Sequence, residues 1–63
     1  MKIRIKTYNG ELPSYLTVGK FYRVSGRAAE QLIIYDDFNN RTYIDIGNYC
    51  YHLNGGSWEI VNE

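Results

Sequence analysis

The feature that most restricts the fold of this sequence is a series of short runs in which apolar and polar residues alternate. Residues that favour turns separate these runs. Residues 2–7 place Ile3 and Ile5 on one side of an extended chain and three cationic side chains on the other, which is the two-residue period of a half-buried β-strand. Similar segments, rich in aromatic and β-branched residues, occupy residues 21–24, 31–36, 41–46 and 57–61, with a less regular segment at 49–53. The pattern predicts an all-β domain of five short strands.

The length of 63 residues leaves room for a single domain, which we expect to span residues 1–63. Five short strands without a helix are too few for a two-sheet sandwich of ordinary size, whereas a five-stranded barrel closes its own edges with fewer residues. A chain this short buries only ~60% of the surface that its unfolded form exposes, so most large apolar side chains have to enter the core. The side chains predicted to point inward are Ile3, Ile5, Leu32, Ile34, Ile44, Ile46, Trp58 and Ile60.

Residues 31–46 form the clearest single unit, a hairpin whose register can be argued from the side chains. A two-residue loop would mix polar and apolar side chains on both faces of the hairpin. A three-residue loop, in which the last residue, Asn40, adopts the left-handed conformation, gives one face only apolar side chains. A buried apolar face enforces register strongly, so the three-residue loop is the one we expect. The pairs predicted on this basis are Ile34 with Ile44, Leu32 with Ile46 and, on the opposite face, Tyr35 with Tyr43.

Three segments carry a resemblance to a known family. Residues 16–24 read L-T-V-G-K-x-Y-x-V, residues 33–37 read I-I-x-D-D and residues 58–61 read W-E-I-V. From Leu16 onward this arrangement resembles the small SH3-like β-barrel proteins of bacteriophage and prophage genomes. The resemblance implies an SH3-like barrel that binds and redirects a host protein in the host cytoplasm, and it implies no catalytic residue. Residues 48–56 are longer and more aromatic than the family pattern, so a site there would be particular to this protein.

The formal net charge is zero, but the charges are unevenly distributed along the chain. Residues 1–27 carry six cationic side chains and one acid, and residues 28–63 carry one cation and six acids. If the early and late strands occupy different parts of the surface, the molecule has a basic side and an acidic side that can steer a charged partner. The alternative is that folding intersperses the two kinds of charge.

Cys50 and His52 are the one nucleophile and the one base that the sequence places close together, because alternate residues of a strand share a face. The sequence indicates neither an orienting third group nor an oxyanion hole, so we expect a small buried cysteine beside a half-exposed histidine and no enzyme activity. One cysteine and one histidine fall short of the four ligands that zinc takes. Asp36 and Asp37 are expected to cap the hairpin turn. The sequence therefore predicts no cofactor and no metal.

The lone cysteine also excludes an internal disulfide and fits a reducing compartment. The N-terminal segment MKIRIKTYNG lacks the continuous apolar stretch of a signal peptide. The longest apolar run, residues 32–35, is far shorter than the ~20 residues of a membrane span. We therefore expect a soluble, cytoplasmic protein that does not enter a membrane.

Tyrosine is the residue type that says most about function. Seven tyrosines and a tryptophan are more than a core of this size can enclose while every hydroxyl keeps a hydrogen-bond partner. Several tyrosines should therefore lie at the surface, where this residue is favoured at binding hot spots. The predicted partner-binding residues are Tyr8, Tyr15, Tyr35, Tyr43, Tyr49 and Tyr51. The alternative is that exposed rings only stabilise the sheet by cross-strand packing.

The tyrosine excess and the uneven charge favour a non-enzymatic protein-binding module. The resemblance implies, more specifically, a phage-encoded inhibitor or modulator of a host protein or defence complex. The alternative is nucleic-acid binding, because residues 18–20, leading into a strand, resemble the start of KOW-type SH3 barrels; zero net charge weighs against a dedicated binder of this kind. The candidate contacts for an anion or nucleic acid are Lys2, Arg4, Lys6, Lys20 and Arg23. A self-assembling homo-oligomer also fits the opposed charges.

Overall fold

The computed structural model describes residues 1–47 and 49–62 of the chain. Five strands, β1 (Lys2–Thr7), β2 (Tyr22–Ala28), β3 (Gln31–Tyr35), β4 (Arg41–Asp45) and β5 (Ser57–Val61), and one 3₁₀ turn (Tyr51–Leu53) make up its regular structure. All strand pairs are antiparallel, in the order β4-β3-β2-β1-β5 within one sheet. The prediction of an all-β domain with five strands is confirmed, and β4 and β5 lie at the two ends of the sheet.

The core forms where the apolar sides of these strands meet. Six of the eight side chains predicted to point inward are buried, and they are Ile3, Ile5, Leu32, Ile34, Ile44 and Trp58. Four further members, Leu16, Tyr22, Cys50 and Leu53, join the same cluster. Ile46 is only half-buried against it, and Ile60 is 43% exposed. Ile60 lies one residue before the end of the outer strand β5, beyond Trp58, and its side chain is in contact with solvent.

The hairpin between β3 and β4 has a register that differs from the predicted one by two residues. Leu32 pairs with Ile44, and Tyr35 lies opposite Arg41 rather than Tyr43. The loop does contain three residues, 37–39, but Asn39 and not Asn40 adopts the left-handed conformation, with φ 62°.

The carboxylate of Asp36 explains this register. One of its oxygens accepts hydrogen bonds from the backbone amides of Phe38 and Asn40, at 2.9 Å each. The turn is therefore closed by Asp36 and Asn40. The backbone amide of Asp36 also donates a hydrogen bond to the carbonyl of Asn40 at 3.0 Å. Since a shift of two residues preserves the faces, Tyr35 and Tyr43 remain together on the outer side of the sheet, both exposed.

The turn between β2 and β3 is tighter than the sequence indicates. Residues 27–30 are expected to form a loop, but β2 continues to Ala28, which pairs with Gln31, so the connection has only two residues. Its first residue, Ala29, has φ 54°, a left-handed conformation that costs a residue with a Cβ about 1–2 kcal/mol.

Substitution of Ala29 by glycine should therefore stabilise the protein, because glycine adopts this conformation without steric cost. Glycine also loses more conformational entropy on folding than alanine, but this loss is smaller than the steric cost that is removed. We expect Ala29→Gly to raise the free energy of unfolding by about 0.5–1 kcal/mol, measured by urea denaturation. The matched control, Ala28→Gly in the strand, should lower it by about the same amount. A loss of stability in Ala29→Gly would contradict the assigned turn.

Gly56 lies where the end of β1 crosses the start of β5. The register of these strands shifts between Ile5 and Thr7, so that Thr7 pairs with Ser57. A Cβ built on Gly56 would lie 2.0 Å from the backbone oxygen of Thr7, a distance that requires the backbone itself to move. Gly56 also forms an isolated bridge with Cys50, whose amide donates to its carbonyl at 2.9 Å.

Gly56→Ala should accordingly lower the free energy of unfolding by about 3 kcal/mol or more, at the upper end of overpacking costs. For a domain of this size that corresponds to a fall in Tm of at least about 12 °C. Gly47→Ala is the control, because a Cβ at Gly47 has nothing within 4 Å and its effect should stay within about 0.5 kcal/mol. Equal effects of the two substitutions, measured by thermal denaturation, would show that the close approach to Thr7 is wrong.

Candidate binding surface

The long loop between β1 and β2, residues 8–21, is fixed at its beginning to the 3₁₀ turn. The side-chain amide of Asn54 donates hydrogen bonds to the carbonyls of Asn9, at 2.7 Å, and of Glu11, at 3.1 Å. In return, the backbone amide of Asn9 donates to the carbonyl of Leu53 at 3.1 Å. Two segments without strand structure are thereby held against each other.

The end of the same loop is fixed by Asp37, in the turn between β3 and β4. One carboxylate oxygen of Asp37 accepts hydrogen bonds from Lys20 Nζ, at 2.6 Å, and from the Tyr22 hydroxyl, at 2.9 Å. The other accepts from the Thr17 hydroxyl at 2.7 Å, and the Asp37 amide donates to the carbonyl of Tyr15 at 2.9 Å. The hydrogen bond from Lys20, followed by that from Thr17, holds the pKa of Asp37 below its ordinary value.

The hydroxyl of Tyr22 lies in the middle of this network. It accepts a hydrogen bond from the backbone amide of Thr17 at 2.7 Å while it donates to Asp37. Burial of the ring raises the pKa of Tyr22, so the hydroxyl remains a donor at neutral pH. One buried aromatic side chain thus connects the core to the loop.

Tyr15 and His52 form the wall of a groove between the long loop and the 3₁₀ turn. The Nδ1 atom of His52 lies 2.7 Å from the Tyr15 hydroxyl, and Nε2 lies 3.0 Å from the carbonyl of Tyr43. A carbonyl only accepts, so Nε2 donates to it, and in the neutral ring Nδ1 accepts the Tyr15 proton. Burial, and then the charge of Asp36, raise the pKa of Tyr15, which keeps this proton in place.

Tyr51 completes the groove on its solvent side. Its ring meets the His52 ring edge-to-face with centroids 6.1 Å apart, and the Tyr15 ring meets His52 in the same way at 5.8 Å. Tyr51 is 77% exposed. The groove has a volume of about 210 Å³ and is lined by Glu11, Pro13, Tyr15, Tyr51, His52 and Asn54. We call it the tyrosine groove.

A second depression, of about 510 Å³, lies on another part of the surface. It is lined by Arg27, Glu30, Asp45, Ile46, Gly47 and Tyr49. Although it is larger, its rim carries charges of both signs and only one aromatic ring. The tyrosine groove has three ring-bearing walls positioned by hydrogen bonds or ring contacts, so it is the better candidate for a specific contact.

The six tyrosines predicted to bind a partner do not form one cluster. Tyr15 and Tyr51 share the tyrosine groove, and Tyr49 lines the second depression. Tyr35 and Tyr43 lie on the outer face of β3 and β4, and Tyr8 follows β1. All except Tyr15 are exposed.

Sequence reasoning missed the contribution of His52 and Asn54 to the groove. It treated His52 as a possible partner of Cys50 because it read residues 49–53 as a strand. The 3₁₀ turn instead separates them: Cys50 is fully buried and its sulfur accepts a hydrogen bond from Trp58 Nε1 at 3.2 Å. The shared face expected for Cys50 and His52 is therefore wrong, whereas the expected burial of Cys50 and half-exposure of His52 are confirmed. The one available signal was the local concentration of aromatic residues at 49–52.

The predicted basic contacts also do not all have the same surroundings. Lys20 is bound to Asp37, on the loop. Lys2 and Arg4 lie over the ring of Phe21, with the cations 4.4 and 5.1 Å from its centroid, and Arg4 also forms a salt bridge with Glu59. The other two, Lys6 and Arg23, are exposed on β1 and β2.

No group of three or more histidine, cysteine or acidic side chains that could hold a metal ion occurs among residues 1–47 and 49–62. Within the same part of the chain, no helix has the length and apolar character needed to cross a membrane. Comparison with protein-family models, with curated proteins and with solved structures finds no match. The resemblance to phage SH3-like proteins thus stays a prediction.

The hydrogen bonds of Asp37 predict a specific dependence of stability on pH. Because its pKa is lowered from 3.8 in the folded state, its contribution is complete above that value and is lost as the pH falls through the folded-state pKa. Asp37→Asn should lower the free energy of unfolding at neutral pH by about 1–3 kcal/mol and should flatten the decline of stability below about pH 4, followed by urea denaturation at a series of pH values.

Lys20→Met serves as the second variant, since it removes the largest single cause of the lowered pKa and leaves the carboxylate in place. We expect it to flatten the same part of the pH profile partially. An Asp37→Asn profile that runs parallel to that of the unmodified protein would contradict the role of this carboxylate.

Proposed function

We propose that the chain is a non-enzymatic protein-binding module and that the tyrosine groove is its contact surface. The observation that carries the proposal is the position of Tyr51, a large ring exposed to solvent beside the hydrogen-bonded pair of Tyr15 and His52. Tyrosine is enriched at binding hot spots, where it supplies contact area and a hydroxyl group together.

The hydrogen bonds around the groove support the proposal because they limit the entropic cost of binding. The loop wall is held by Asn54 at one end and by Asp37 at the other, and His52 is fixed through both ring nitrogens. Side chains that are already ordered lose little freedom when a partner binds. An exposed ring used only for sheet packing would lie on a strand, whereas Tyr51 lies in the 3₁₀ turn.

The proposal extends to the architecture: the sheet curls into a small SH3-like barrel. Two register shifts within the sheet support this architecture, one between Ile5 and Thr7 of β1 and one between Val24 and Gly26 of β2. Irregularities of this kind bend a strand and increase its twist. Bends in two inner strands favour a curled sheet.

The partner that we propose is a host protein in the bacterial cytoplasm, which the chain, encoded by a phage, would inhibit or modulate. This part of the proposal rests on the resemblance of residues 16–24, 33–37 and 58–61 to phage proteins.

Affinity capture from bacterial lysate, followed by mass spectrometry, tests the function. The immobilised protein should retain one host protein in a stoichiometric amount, and Tyr51→Ser should reduce the amount retained by about tenfold or more, as expected for a hot-spot ring. Tyr35→Ser is the matched control, since Tyr35 is also exposed but lies on β3, and it should retain the partner.

Both variants must first show the thermal stability of the unmodified protein, so that a lost partner reports on the surface. Failure to retain any stoichiometric protein would count against the binding function. Equal losses in Tyr51→Ser and Tyr35→Ser would remove the tyrosine groove as the contact surface.

A further inference from the structure

A basic face on β1 and β2 is not used by the tyrosine groove. Ile3 and Ile5 of β1 point into the core, so the cationic side chains that alternate with them, Lys2, Arg4 and Lys6, point outward. Lys2 pairs with Arg23 of the neighbouring strand, which places Arg23 on the same side. The basic face comprises Lys2, Arg4, Lys6, Phe21 and Arg23.

Few acidic side chains of residues 1–47 and 49–62 contact this face. Glu59 of β5 is the one carboxylate that contacts it in the described part of the chain, through its salt bridge with Arg4. The other described acids lie in the long loop, in the two hairpin turns and on β4; they are Glu11, Glu30, Asp36, Asp37 and Asp45. Lys6 and Arg23 have no ion-pair partner among residues 1–47 and 49–62. Lys6 and Arg23 therefore give this face positive charge although the net charge of the chain is zero.

An exposed aromatic ring lies at the centre of the same face. Phe21 is 42% exposed, and the cations of Lys2 and Arg4 lie within about 5 Å of its centroid. Alternate residues of a strand are roughly 6.6 Å apart, so Lys2, Arg4 and Lys6 form a regular row of positive charges along β1. Cations close to an aromatic ring are the combination by which single strands of nucleic acid are held, with phosphates on the cations and a base stacked on the ring. Because Lys2 and Arg4 lie over the Phe21 ring, their flexible side chains have to turn toward the phosphates before a base can stack there.

We propose that the basic face binds single-stranded nucleic acid without strong sequence preference. A sheet face with one exposed ring suits an unpaired base, whereas the bases of a duplex are already stacked on one another. The side chains at the ring, Lys2 and Arg4, are flexible cations, which contact phosphates of any sequence. The proposal is independent of the protein-binding function, because none of its residues lines the tyrosine groove.

Fluorescence anisotropy with a labelled oligothymidylate of about a dozen nucleotides tests the proposal. If three or four cations contact phosphates, a plot of the logarithm of the affinity against the logarithm of the salt concentration should have a slope of about −2 to −3. Lys6→Gln should reduce this slope by about 0.7. Phe21→Leu should weaken binding by about tenfold with little change in slope, and Phe21→Tyr should retain binding, because the ring stacks whereas the cations respond to salt.

Glu59→Gln provides a test in the opposite direction. It frees Arg4 from its carboxylate, so it should tighten binding and steepen the slope by up to about 0.7. Arg41→Gln is the charge-matched control, since Arg41 lies on β4, where its guanidinium group faces the ring of Tyr43. It should leave both affinity and slope unchanged, and Tyr51→Ser should do the same.

Several outcomes would overturn the proposal. One is no change in anisotropy at low salt, and another is an equal effect of Arg41→Gln and Lys6→Gln, which would mean that binding is not localised to the basic face. Tighter binding to a duplex of the same length would exclude a preference for single strands. Tighter binding to vesicles that contain anionic lipid than to the oligonucleotide would assign the face to a membrane surface instead.

Discussion

The carboxylate of Asp37 is the interaction on which the arrangement of this small protein depends. Residues 8–21 form a long connection with no strand of its own, and such connections are uncommon in compact domains unless something fixes them. Asp37 accepts hydrogen bonds from Thr17, Lys20 and Tyr22, three residues that span the end of that loop and the start of β2. Asp36 fixes the position of Asp37 in the hairpin loop. The hydrogen bonds of the Asp36 carboxylate close the loop one residue earlier than the register predicted from apolar pairing. Two adjacent carboxylates therefore determine both a strand register and the path of a loop.

The parts of the fold that the sequence predicts are those governed by side-chain alternation. Ile3, Ile5, Ile34 and Ile44 are buried as expected because a period of two residues, combined with a face that has to be buried, admits few alternatives. The predicted hairpin register is wrong, and the 3₁₀ turn was not predicted, for the same reason. Both depend on polar side chains that bond to the backbone, Asp36 in one case and Asn54 in the other, and such contacts leave no periodic trace in the sequence.

The candidate sites, like the fold, are predictable where side-chain pattern decides and not where polar contacts to the backbone decide. Excess tyrosine indicated that several rings would lie at the surface, and five of them are exposed. Which rings come together depends on the fold of residues 49–56, where Cys50 enters the core and Tyr51 turns outward. The two proposed surfaces also differ in how they are built. The tyrosine groove is made by loops held together by hydrogen bonds, whereas the basic face is a direct result of alternation along one strand. One small domain thus has two surfaces that substitution can alter separately.

The environment of Cys50 has a consequence for how the molecule can be observed. Its sulfur is enclosed by the core and accepts a hydrogen bond from the indole of Trp58, so a thiol reagent reaches it only when the surrounding structure opens. Since it is the chain's single thiol, the rate of its alkylation reports the opening of one defined region, without any introduced label. The indole beside it reports the same event by fluorescence, which gives the protein two native probes of one opening reaction.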